Sequence, residues 1–120
     1  MIMMVTAIQK EQVRTEKNAA FLTSRPEVDY LERESFFITL KDAIKREWVV
    51  RLKYFQEADV SSLRLAPFEY PSAFLGLGEI ETQDLVPLEI DMLTEEVILK
   101  DIVGYEYVIE FRDIIDVELL

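Results

Sequence analysis

Apolar residues recur every three or four positions in the first part of the chain and every second position in the rest. The change of period near Trp48 divides the sequence into a helical region, 1–47, and a β region, 48–120. Val5, Ile8, Val13, Ala19, Ala20 and Phe21 draw a helical stripe over residues 5–22, and the Ala, Lys and Glu among its neighbours favour helix. Ser24-Arg25-Pro26-Glu27 has the form of a helix start: Pro stands in the first turn, where its missing N–H is not needed, and Val28 and Leu31 follow three apart. A short second helix is expected there. From Ser35 to Glu47, Phe36, Phe37, Leu40, Ala43 and Ile44 fall at helical spacing with Lys41, Asp42, Lys45 and Arg46 between them, which predicts a third.

Beyond it, Trp48, Val50, Leu52 and Tyr54 alternate with Val49, Arg51, Lys53 and Phe55, the pattern of a strand with one buried face, and Trp48 is assigned to the core. Leu63, Leu65 and Pro67 suggest a second strand before a turn at Glu69-Tyr70-Pro71-Ser72. Gly76 and Gly78 mark a bend or bulge leading into Glu79-Ile80-Glu81. Val86, Leu88, Ile90 and Met92 alternate with Pro87, Glu89 and Asp91, so the apolar set is expected to point inward and the acids outward, with Pro87 marking an edge or bulge. A turn at Thr94-Glu95, a strand over 97–100, a turn at Gly104, a strand over 105–111 and a tight turn into a closing strand complete the chain. The expected fold is one α+β domain over residues 1–120. Its N-terminal helices pack on a small, strongly bent antiparallel sheet or an SH3-like or Sm-like barrel.

Charge sharpens this division. The 120 residues carry 24 acidic and 13 basic side chains, net −11. Residues 1–55 hold ten basic and eight acidic groups, net +2, whereas residues 56–120 hold three basic and sixteen acidic groups, net −13. Such a field repels phosphate backbones, so direct nucleic-acid binding is disfavoured. The absence of Cys and His excludes disulfides, thiolate nucleophiles, thiolate or imidazole metal sites and a histidine base. The opening Met1-Ile2-Met3-Met4-Val5 is too short for a signal-peptide core, and no later stretch has the apolar length of a membrane span, which points to a soluble, cytoplasmic protein.

The chemistry left is that of carboxylates and cations. Paired acids such as Glu79/Glu81, Glu89/Asp91, Glu95/Glu96 and Asp113/Asp116 are the only candidate material for acid–base catalysis. Their alternation with apolar neighbours reads instead as a solvated strand face. No window matches a calcium loop, and Gly76-Leu77-Gly78 lacks the third glycine of a dinucleotide loop, so no metal, cofactor or enzymatic activity is expected. Lys41, Lys45, Arg46, Arg51 and Lys53, beside Tyr54 and Phe55, form an alternative basic patch whose simplest role is to offset the acidic strands. The leading candidate surface is the acidic face of Glu79, Glu81, Glu89, Asp91, Glu95 and Glu96, which suits a basic groove on another protein.

Ile38 to Tyr54, including Ala43-Ile44 and Val49-Val50-Arg51-Leu52-Lys53-Tyr54, together with Gly78-Glu79-Ile80, Val97-Ile98-Leu99 and the ending Ile109 to Glu118, resembles YolD-like proteins of Gram-positive bacteria and their phages. The resemblance spans residues 38–120 and carries over no site residues. It implies a small SH3-like barrel without enzymatic activity, acting as an accessory near Y-family translesion polymerases or mobile elements, with a polymerase-associated factor as partner. The alternative is a phage-encoded acidic nucleic-acid mimic that occupies the groove of a nuclease, in the manner of anti-CRISPR or anti-restriction proteins.

Overall fold

The computed structural model describes residues 22–59 and 75–120. Residues 5–21 of the expected stripe over 5–22, the expected strand at Leu63–Pro67 and the expected turn at Glu69–Ser72 lie outside the described residues. Two compact units divide the chain: residues 1–25 with 57–79, and residues 26–56 with 80–120.

In the first unit, strand β1 (Thr23–Ser24) pairs antiparallel with the opening of β3 (Leu77–Asp91), Thr23 opposite Gly78 and Ser24 opposite Leu77. The Ala58 N–H donates to the Leu77 carbonyl at 2.9 Å. Gly76 turns the chain into β3 at φ +81°, a left-handed conformation that glycine adopts without a Cβ clash. Ser24 is therefore a strand residue and not the helix start expected of it. Pro26 disfavours helical geometry at Arg25, the residue before it.

The second unit begins its helix later. Helix α1 (Tyr30–Arg46) is capped by Asp29, whose carboxylate accepts the Glu32 N–H at 2.8 Å. The two helices expected over 24–47 are thus one. It stops at Glu47, which adopts a left-handed φ of 55°, while the Trp48 N–H bonds back to the Ala43 carbonyl. Phe36, Leu40 and Ala43 form its buried stripe.

Strands β2 (Val50–Glu57), β3, β4 (Glu96–Lys100), β5 (Glu106–Glu110) and β6 (Ile114–Leu119) form a sheet in the order β5-β4-β3-β2-β6. The pairs β2–β6, β3–β4 and β4–β5 are antiparallel. After β5 a 3₁₀ turn (Phe111–Asp113) carries the chain to the far edge beside β2, so the sheet is open and not a closed barrel. Helix α1 lies on the face that contributes Val50, Leu52, Tyr54, Leu85, Val97, Leu99, Ile109 and Ile114 to the core.

Two assignments to that core are corrected. Trp48 is 50% exposed, and its indole N–H donates to the carbonyl of Leu120. It lies in the link between α1 and β2, where neither the helical nor the strand period applies. Along β3 the inward residues are Leu85 and Pro87, while Leu88 and Met92 are exposed. The cause is a bulge: Pro87 pairs with Leu99, but the next pair is Glu89 with Ile98, leaving Leu88 as the extra residue. Odd positions face the core before the bulge and Ile90 does so after it.

Candidate functional site

The face of the sheet turned away from α1 has two contrasting ends. On β2 and β6, Arg51 stands opposite Glu118 and Lys53 opposite Asp116. From the other side, the Arg51 guanidinium donates to both carboxylate oxygens of Asp84 on β3, at 2.9 and 3.3 Å. This bond holds the Asp84 carboxyl below its ordinary range and raises Arg51 further. Arg51 is thus flanked by carboxylates on both sides and Lys53 faces one, a ladder of opposite charges.

The β3–β4–β5 end is arranged differently. Val97, Leu99 and Ile109 point to the core, so by alternation Glu96, Ile98 and Lys100 of β4, with Glu106, Val108 and Glu110 of β5, point outward. Register then sets three rows across the strands. Asp91, Glu96 and Glu110 form one, Glu89, Ile98 and Val108 the next, and Val86, Lys100 and Glu106 the third. The first row places carboxylates beside carboxylates, which repel. Arg112 reaches Glu110 from the following turn. Among the described residues, no three carboxylates converge as a metal site.

Asp91 also has a local task. Its carboxylate accepts the N–H groups of Leu93 and Thr94, fixing the turn between β3 and β4. Glu95 follows in that turn at a left-handed φ of 56°, and its carbonyl accepts the Phe111 N–H.

Of the acidic residues expected to share a face, Glu89, Asp91 and Glu96 are brought together, with Glu95 on the adjoining turn. Glu79 and Glu81 are half-buried, like Asp91 and Glu96, but lie outside the rows of the β3–β4–β5 end. Glu81 shares the parity of core residue Leu85, as does Gln83, whose amide donates to the Tyr54 hydroxyl at 2.8 Å. Burial first, and the Glu81 charge second, push the Tyr54 phenol above its ordinary value. Glu106, Val108 and Glu110 also lie on this face, beyond the acids expected from the sequence. Their alternation with Tyr107 and Ile109 was the available signal.

The alternative basic patch does not assemble. Arg46 pairs with Asp42 one helical turn earlier at 3.0 Å, Lys41 lies over the Phe37 ring, and Lys45 is exposed on the same helix. Arg51 and Lys53 lie on the sheet face away from that helix. They stand opposite acidic residues of β6, and Arg51 also bonds Asp84 of β3.

A groove of about 410 Å³ separates the start of α1 from the β3–β4 turn, with Tyr30, Phe37, Ile90, Met92 and Phe111 among its lining. Its charged lining mixes Arg33 and Arg112 with Glu34, Asp91 and Glu95, so neither sign prevails. Among the described residues, no helix is long and apolar enough to cross a membrane. No protein-family model, curated protein or solved structure matches this chain.

Proposed function

We propose that this chain is a non-enzymatic, cytoplasmic protein-binding accessory that offers the outer face of β3, β4 and β5 to a basic surface on another protein. The YolD-like resemblance gives the setting: a bacterial mobile element or phage, close to translesion-polymerase functions. One observation carries the reading. The β2 cations are flanked by Asp84, Asp116 and Glu118, whereas Asp91, Glu96 and Glu110 adjoin one another across three strands. Adjacent carboxylates oppose folding, and an arriving set of lysines or arginines relieves that repulsion.

The test is fluorescence anisotropy with a labelled octalysine peptide as the stand-in for a basic surface. Binding should weaken steeply between 50 and 500 mM salt, because screening shortens the reach of exposed charges. The double variant Glu96→Lys/Glu110→Lys should lose at least about tenfold in affinity, corresponding to roughly 1.4 kcal/mol, while Asp84→Asn stays near the parent. Equal losses in both variants, with unchanged melting curves, would reduce the acids to a diffuse solubilising charge.

A further inference from the structure

Between the acidic row and the third row, the same face carries Glu89 on β3 and, in direct register with it, two apolar side chains, Ile98 on β4 and Val108 on β5. Val108 is 60% exposed on an edge strand, and Ile98 is half-buried. β-branched residues suit a strand in any setting, but here two of them lie side by side between charged rows on one face. An apolar middle with a charged border is the anatomy of a protein interface, where the border steers and the centre supplies affinity.

Resting on the protein-binding reading above, we infer that this face takes a basic amphipathic helix, lying across β3–β5 with its apolar stripe on Ile98 and Val108 and its lysines or arginines over Asp91, Glu96 and Glu110. Dimensions agree with that occupant. Strands lie about 4.8 Å apart, so a row of three residues spans about 10 Å. A helix laid along the row covers that length in about two turns. Successive outward residues on one strand are separated by roughly 6.7 Å, which puts the acidic row to one side of the apolar pair, where the polar flank of a helix lies.

The border is not symmetric. On the other side Lys100 stands opposite Glu106 and the charges cancel, so the helix needs its cations on one flank only. A second copy of this chain is a poorer occupant. Its own acidic face would meet this one, within a chain of net charge −11, and like charges brought together in an interface oppose association. A nucleic-acid strand is poorer still, since its phosphates would lie over the carboxylates.

The experiment compares two labelled 18-residue peptides of equal length and charge, one with leucines at helical spacing among lysines, the other with serines in their place. The leucine peptide should bind the parent protein at least about tenfold more tightly. Ile98→Thr/Val108→Ser should abolish that difference while leaving the serine peptide's affinity unchanged. Val108→Ser alone, at an exposed edge position, serves if the double variant does not fold, and should at least halve the ratio. Amide shifts on adding the leucine peptide should centre on β4 and β5.

Equal binding of both peptides to the parent would overturn the inference and leave the charge-based reading standing. Failure of both peptides to bind would remove both. A leucine preference that survives the substitutions, or amide shifts centred on Tyr30 and Phe37, would assign the peptide to the helix groove and overturn the inference. So would a dimer in solution that Val108→Ser dissociates, since the second copy would then be the occupant.

Discussion

The two ends of one sheet face treat charge in opposite ways. At the β2–β6 end, Arg51 sits between Asp84 and Glu118, and Lys53 faces Asp116. At the β4–β5 end, Glu96 sits between Asp91 and Glu110. The difference comes from topology acting on the sequence's charge division. Strand β2 is the strand of this face drawn from the net-positive first half, and the fold inserts it between β3 and β6, both from the net-negative second half. Three acids are used up around β2. Apart from Arg112 at Glu110, the acids of the β3–β4–β5 row have no cation beside them from a neighbouring strand, and the excess collects there.

The sharpest way to break this contrast uses neighbouring strands and opposite faces. Leu99 is fully buried and Val108 largely exposed. Leu99→Ala should cost about 2–5 kcal/mol, combining lost burial with a cavity, and Val108→Ala should stay within about 0.5 kcal/mol, as surface substitutions usually do. Urea denaturation measures both. Comparable losses would mean that the outer face is covered and not available to a partner.

Next in size is the fastening of the chain's end. Trp48→Phe removes the indole donor to the Leu120 carbonyl, and should cost about 0.5–1.5 kcal/mol. The indole should also be open to iodide or acrylamide quenching, given its exposure. Strong protection from both quenchers would return Trp48 to the core.

How these residues were legible differs in kind. The period-two pattern from Val50 to Tyr54 and the strands around 97–100 and 106–110 are written locally, because burial of one face imposes alternation. The body of α1 is legible for the same reason. Its start was misplaced because Ser24 imitates a cap that Asp29 provides. The inward set on β3 was misread because one bulge changes the phase of every side chain beyond it, although Pro87 signalled the irregularity. The acidic row itself was only half visible. Asp91 and Glu96 belong to one hairpin, but Glu110 joins them through pairing between β4 and β5, a register fixed in three dimensions.

Charge substitutions sharpen the comparison with a smaller effect. Glu96→Lys places a cation between Asp91 and Glu110 and should stabilise the fold by about 0.2–1 kcal/mol. Lys53→Glu at the other end puts a carboxylate opposite Asp116 and should destabilise it by a similar amount. Both differences should shrink at 1 M salt, where the screening length is about 3 Å. Thermal melts at low and high salt read the two signs, and a destabilising Glu96→Lys would deny the repulsion on which the functional reading depends.

The smallest effect is the acid dependence of the Arg51–Asp84 pair. Asp84 has a folded-state pKa below its ordinary 3.8, chiefly because its carboxylate accepts hydrogen bonds from Arg51. As pH falls past 3.8 the unfolded chain takes up the proton first, so the contribution of this group is present above that value and disappears as pH drops through the lower folded value. Asp84→Asn should therefore flatten the stability profile below pH 4 and leave its alkaline side unchanged. Tyr54 supplies the opposite control. Its raised phenol pKa makes the fold lose stability as pH climbs past 10, when the unfolded chain ionises first. Tyr54→Phe should remove that alkaline loss without touching the acid limb. Both side chains of the Arg51–Asp84 pair are about half exposed, so water screens the interaction and the acid-side change should be the weakest of the series. If Asp84→Asn leaves the acid limb unaltered, Arg51 is not committed to Asp84 in solution, and the ladder of compensated charge at the β2–β6 end rests on Glu118 and Asp116 alone.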